Sequence, residues 1–146
     1  FNAESYWYWR PLIMRKVEHI AIAVQDIEAS NKLFAKIFDQ APFKCENVES
    51  ESVITSFFQK GETKIELVAP SNQDSPISKY LSKNREGMHH IAFLVEDIFY
   101  EMERLKKEGI RMLNEVPKKG ADNKLICFLN PHDTNSVLIE LCQEIG

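Results

Sequence analysis

Two histidines and two glutamates stand at matching points of a chain that repeats itself. His19-Ile20-Ala21-Ile22-Ala23-Val24-Gln25-Asp26-Ile27 returns as His90-Ile91-Ala92-Phe93-Leu94-Val95-Glu96-Asp97-Ile98, and Ile65-Glu66-Leu67 returns as Ile139-Glu140-Leu141. The histidines are 71 residues apart and the glutamates 74, so the unit is about half the chain long. Imidazole nitrogens and carboxylate oxygens suit first-row divalent ions, and a mixed set leaving positions for water or substrate suits octahedral geometry. One histidine in a strand is more often a hydrogen-bonded core residue than a ligand. Four matched residues recurring in a duplication favour a metal site made of His19, Glu66, His90 and Glu140. His89, next to a proposed ligand, is expected to face the other way and to be structural.

The elements that must carry these residues follow from periodicity. Residues 17–24 read as a strand, and Asp26 as the N-cap of a helix whose apolar stripe is Ile27, Leu33, Phe34, Ile37 and Phe38. Strands are expected near 43–48, 53–58 and 63–68, the last two joined by a glycine-containing turn at 59–62. A connector and a short helix follow, signalled by Ser75 as cap and Pro76 at the first position. The second unit repeats the order. Residues 89–95 form a strand, Asp97 caps a helix to about Glu108, and Gly109 ends it. Strands near 110–116, 124–129 and 137–142 complete it, so each half is βαβββ. By period-2 alternation His19 shares a face with Val17, Ala21 and Ala23, and His90 with Ala92 and Leu94. The bulky opposite faces can pack under helices, while the alanines leave room above the histidines. Glu66 and Glu140, between apolar neighbours, point to the face those neighbours avoid, where a carboxylate is costly unless paired or coordinated.

Composition narrows the function. The 146 residues carry a net charge of −4, with 18 scattered basic residues, which argues against a nucleic-acid surface. No apolar run approaches the roughly 20 residues that span a bilayer. Cys45, Cys127 and Cys142 form no Cys-x-x-Cys pair; Cys127 and Cys142 lie in apolar runs and read as reduced core residues of a cytoplasmic protein. Residues 1–13, with both tryptophans, lie outside the repeat and lack the pattern of a secretory signal. They are read as an extension, and 14–146 as one domain with modules at about 16–70 and 87–143.

The duplication with His…Glu…His…Glu resembles the vicinal oxygen chelate (glyoxalase/bleomycin-resistance) superfamily. Within it, Thr63-Lys64-Ile65-Glu66-Leu67, Asp74-Ser75-Pro76-Ile77-Ser78-Lys79-Tyr80-Leu81 and Gly87-Met88-His89-His90-Ile91-Ala92-Phe93 look most like the methylmalonyl-CoA epimerases. Pro117-Lys118-Lys119-Gly120-Ala121 and the stretch from Phe128 to Leu141 extend the likeness. The resemblance implies an α+β fold of two tandem modules curled into a half-barrel sheet with helices outside. It implies interconversion of the (R) and (S) epimers of methylmalonyl-CoA by α-proton abstraction through a metal-stabilised enolate. It also implies one divalent ion (cobalt, with nickel, manganese or zinc also suited), an acyl-CoA substrate and a homodimer. Lys118 and Lys119 are a local cation pair on a connector, as CoA phosphates would need, although a solvated charge pair reads the same way.

One departure from the family bears on catalysis. Where relatives often carry a glutamate base on the third strand, this chain has Thr55, a poor base. Glu51, four residues away, stands roughly 13 Å off at strand rise and cannot simply substitute. Glu140 is then the expected base, and Thr55 would hold a water on the opposite face. Lactoylglutathione lyase activity, or metal-dependent ligand sequestration without catalysis, remains an alternative for the same residue pattern.

Overall fold

The computed structural model describes residues 14–146; the extension expected at 1–13 lies outside the described residues. The strands are β1 (Met14–Ala23), β2 (Lys44–Val48), β3 (Val53–Lys60), β4 (Thr63–Pro70), β5 (Gly87–Val95), β6 (Lys118–Lys119), β7 (Lys124–Phe128) and β8 (Ile139–Glu144). The helices are α1 (Ile27–Phe38), α2 (Pro76–Lys83) and α3 (Ile98–Lys107). All eight strands form one sheet in the order β2-β3-β4-β1-β5-β8-β7-β6. Each half repeats one topology: β1 is parallel to β4 as β5 is to β8, and β1 meets β5 antiparallel at the centre. The result is the expected α+β half-barrel of paired βαβββ units.

Local chemistry sets the boundaries. Asp26 and Asp97 accept from the backbone N–H of Ala29 and Tyr100, each at 3.1 Å, and start α1 and α3 at equivalent points. Ser75 caps α2 by accepting from Ile77 N at 3.2 Å, with Pro76 following. Gly61, at φ +62°, allows the tight turn between paired Lys60 and Thr63.

The convex face is the main apolar layer. Phe34 and Phe38 of α1 pack on fully buried Phe58, with Phe38 and Phe58 ring centroids 5.3 Å apart, and Ile22, Val24 and Leu67 join them. Truncating Phe58 to alanine would cost about 3–5 kcal/mol. Ile98 and Met102 of α3 cover Val95, Cys127, Leu129 and Leu141. Cys127 and Cys142 are buried free thiols, as read from their apolar runs.

Three local expectations are corrected. Leu33 and Ile37 are exposed, so the buried stripe of α1 is narrower than its sequence pattern. No strand forms at 110–116; one bridge, Met112 to Leu129, stands there, and the edge strand is β6. The polar Asn114 side chain, bonded to Phe128 N and Val116 O, holds this segment as a loop instead. Val17 is paired with Phe93, not on the His19 face, because β1 carries a bulge between Val17 and His19.

Candidate metal centre and cavity

The concave face bears the repeated polar residues. His19 (β1), Glu66 (β4), His90 (β5) and Glu140 (β8) are all buried and project from the four central strands. His19 Nε2 lies 3.3 Å from His90 Nε2 and 3.4 Å from Glu140 Oε2. His90 Nε2 lies 3.7 Å from Glu140 Oε1 and 3.8 Å from Glu66 Oε1. Neighbouring ligands of an ion bound at roughly 2.1 Å stand about 3 Å apart, so this spacing is close to a ligand shell. Donor atoms of His19, His90 and Glu140 fall within 4.8 Å of one another, so these residues could hold a metal ion.

Two bulges in the central strand pair orient the rings. On β1 the bulge makes Glu18 the extra residue, and its Oε1 lies 3.4 Å from His19 Nδ1. On β5 the register steps from Ala21↔His90 to Ile22↔Met88, so His89 is the extra residue and its Nδ1 lies 2.8 Å from His90 Nδ1. His89 therefore does not face away, as strict alternation predicts. A bulge re-aims a side chain, and each of the two histidines is met at Nδ1 by the residue before it. Both rings then present Nε2 to the centre. Glu18 and His89 escaped the sequence reading because alternation carries no mark of a bulge.

The charges of the cluster are poorly balanced. Burial pushes Glu140 up to about 7, with Glu66 adding and His19 opposing. Burial raises Glu66 also. Burial alone would lower His19, but Glu66 and Glu140, helped by the Glu18 hydrogen bond, raise it to about 9. His90 is held well below the ordinary imidazole value by burial and by the charges of His19 and His89. Two carboxylates thus share one buried imidazolium, a donor set that fits a divalent cation better than a proton.

Above this floor opens a cavity of 320 Å³, walled by Val53, Val68, Ile77, Ile126 and Phe128. The small Ala21 and Ala23 leave part of the concave face to α2, whose Ile77 and Tyr80 cover it. Glu66, His90, Glu140 and Thr55 line the cavity; His19 lies beneath, beside a 20 Å³ void that shares Glu66 and Glu140 with it. Thr55 is fully buried, its hydroxyl donating weakly to Glu46 O at 3.5 Å. The cation pair is split, because neighbours in a strand point to opposite faces. Both lysines are exposed, but only Lys118 lines the cavity, where it pairs with Glu51. Glu51 itself lies in the 3₁₀ turn Glu49–Glu51, not on a strand, and lines the same cavity. The 13 Å separation inferred from strand rise therefore does not apply. The polar run 49–52 between two apolar strands was the available signal.

A family profile described as the Glyoxalase/Bleomycin resistance protein/Dioxygenase superfamily matches residues 18–128, which include His19, Glu66 and His90. The chain belongs to this superfamily. Among its members, the human mitochondrial methylmalonyl-CoA epimerase is 39% identical over 129 residues, 88% of this chain and 73% of that protein. An uncharacterised Bacillus subtilis protein is 36% identical over 133 residues, covering 91% of this chain and 95% of its own. A solved Streptomyces coelicolor methylmalonyl-CoA epimerase variant in complex with 2-nitronate-propionyl-CoA superposes with a TM-score of 0.85 at 29% identity, covering 91% of this chain and 99% of that one. These superfamily relatives support an epimerase. Among the described residues no helix is long and apolar enough to cross a membrane.

Proposed function

We propose that this chain is a methylmalonyl-CoA epimerase, interconverting the two epimers of its acyl-CoA substrate at the carbon between thioester and carboxylate. The observation that carries the reading is the convergence of His19, Glu66, His90 and Glu140 at the floor of one cavity, in a chain similar to epimerases. His19, Glu66, His90 and Glu140 would hold one divalent ion, which supplies Lewis acidity toward the thioester carbonyl. The apolar walls exclude water from the reacting carbon and leave the polar contacts on the floor to fix its orientation. Glu140, at the edge of cavity and floor, takes the α-proton with one carboxylate oxygen. Thr55 supplies a hydroxyl on the opposite wall, able to hold a water. Lys118, which lines the cavity, is in reach of the phosphates of the CoA arm, with Lys119 beside it on the other face of β6. Location in the cytoplasm and assembly as a homodimer belong to the same proposal, on the resemblance alone.

The test is α-proton exchange of methylmalonyl-CoA in D₂O, followed by NMR, with interconversion of the epimers measured in parallel. Wild-type protein should exchange and epimerise; Glu140→Gln should abolish epimerisation even where metal stays bound. Thr55→Glu should retain or raise turnover, since a positioned acid–base group contributes about 10²–10⁴-fold. A metal-loaded wild type inert toward this thioester, but active on a glutathione hemithioacetal or binding a ligand without turnover, overturns the proposal.

A further inference from the structure

Inversion at a carbon needs proton removal at one face and proton return at the other. Glu140 can serve only its own side of the cavity, and Thr55 is no base. The fold brings a second carboxylate to the same cavity. After β2 the chain makes a 3₁₀ turn at Glu49–Glu51, and Ser52, at φ +54°, reverses it so that Val48 pairs with Val53. The Glu51 side chain is thereby turned to the cavity, only 17% exposed. Lys118 Nζ, from the other end of the sheet, lies 2.9 Å from its Oε1 and 3.1 Å from its Oε2, with hydrogen-bond geometry satisfied at Oε2. Oε1 is buried and has the Lys118 ammonium beside it, and no donor meets hydrogen-bond geometry at it, so a lone pair stays free for an incoming group. Glu51 comes from the β2–β3 side of the half-barrel and Glu140 from β8, and both line the cavity. The two carboxylates approach the cavity from opposite flanks.

We infer that Glu51 is the second proton-transfer residue, working on the face of the substrate opposite Glu140. This rests on the epimerase reading above. In one direction Glu140 takes the α-proton: the C–H bond breaks, an O–H bond forms, and the electron pair moves into the thioester carbonyl. Glu51, protonated beforehand, then returns a proton to the opposite face, its O–H bond breaking as the new C–H bond forms. The reverse reaction starts from the enzyme form with the proton on Glu140 instead of Glu51. Lys118 positions the Glu51 carboxylate and balances its charge between turns.

The test is Glu51→Gln, assayed in D₂O from each pure epimer separately. Epimerisation should fall about 10²–10⁴-fold, while one epimer still exchanges its α-proton, with retention, through Glu140. Metal content and acyl-CoA binding should stay at wild-type values, and formate should restore part of the epimerisation in Glu51→Ala. Equal exchange from both epimers in Glu51→Gln would overturn the inference while leaving the epimerase reading intact. So would loss of metal, or of folding in both variants, since either makes Glu51 structural. A wild type that exchanges neither epimer removes both proposals together.

Discussion

The half-barrel buries two polar clusters side by side, and they answer the cost of buried charge in opposite ways. In one, Asp122 Oδ2 lies 2.8 Å from Lys64 and 3.3 Å from Lys124, and its Oδ1 3.0 Å from Lys44; Glu18 lies 3.2 Å from Lys64. Burial alone would raise both carboxyls. The His19 hydrogen bond and the Lys64 and Lys124 charges instead bring Glu18 down to about 2, and hydrogen bonds from Lys64 and Lys44 hold Asp122 below the usual carboxylate range. In the other, Glu66 and Glu140 have no lysine partner among the described residues and are pushed up. A cluster carrying its own cations is part of the architecture: Asp122 joins β2 to the β6–β7 loop and ties the two ends of the sheet together. A cluster with one imidazolium for two carboxylates could take up a further cation. Glu18 belongs to both, bonded to Lys64 on one side and His19 on the other.

The comparison breaks first at His90. His90→Ala should take metal content from about one ion per chain to near zero, with the metal-free fold no less stable; full occupancy in a folded His90→Ala protein, by elemental analysis, would sink the ligand assignment. The converse change, Asp122→Ala, should spare metal content but cost about 3 kcal/mol in urea unfolding, because it strands buried Lys124 without its carboxylate.

Two smaller effects sharpen the contrast. His19, raised to about 9 without metal, must give up its proton to a bound ion. Apparent metal affinity should therefore rise about tenfold per pH unit from pH 6 toward 9, measured by competition with a chelator; a flat profile would mean that His19 is not displaced from its proton. Glu18 works in the other direction. Its folded value, about 2, is below the roughly 4.3 of an unfolded glutamate, so its contribution is complete above pH 4.3 and fades as pH falls toward 2. Smallest is the effect at the rim. Lys118→Ala with Lys119→Ala should raise the Michaelis constant for a CoA thioester several-fold and leave metal affinity alone, and no change in that constant would make the pair a solvated edge.

The four proposed ligands were readable because duplication places them identically and because a glutamate between isoleucine and leucine has one face to point to. Helix starts were readable for a similar local reason, Asp26 and Asp97 each preceding an apolar stripe. Thr55, singled out through the family resemblance, lines the cavity together with Val53, two residues before it on β3. Lys118 and Lys119 looked like a pair in the chain, but in β6 alternation separates them. The segment 110–116 reads as a strand because of its apolar content, but its backbone pairs with 128–130 only around the Met112–Leu129 bridge, and the Asn114 side chain takes the Phe128 N–H beyond it.

What the sequence by itself determined is everything carried by period and repetition: the βαβββ order, the buried convex face, and the two His and two Glu on the concave one. What only the tertiary structure decided depends on contacts between distant parts of the chain. The bulges that turn Glu18 and His89 toward the rings of His19 and His90 exist only in the pairing of β1 with β5, a register that neither strand specifies alone. The meeting of Glu51 with Lys118, across 67 residues, needs the sheet to curl until its two ends face each other. Alternation is a local rule fixed by backbone geometry, whereas curl and bulges arise where strands join.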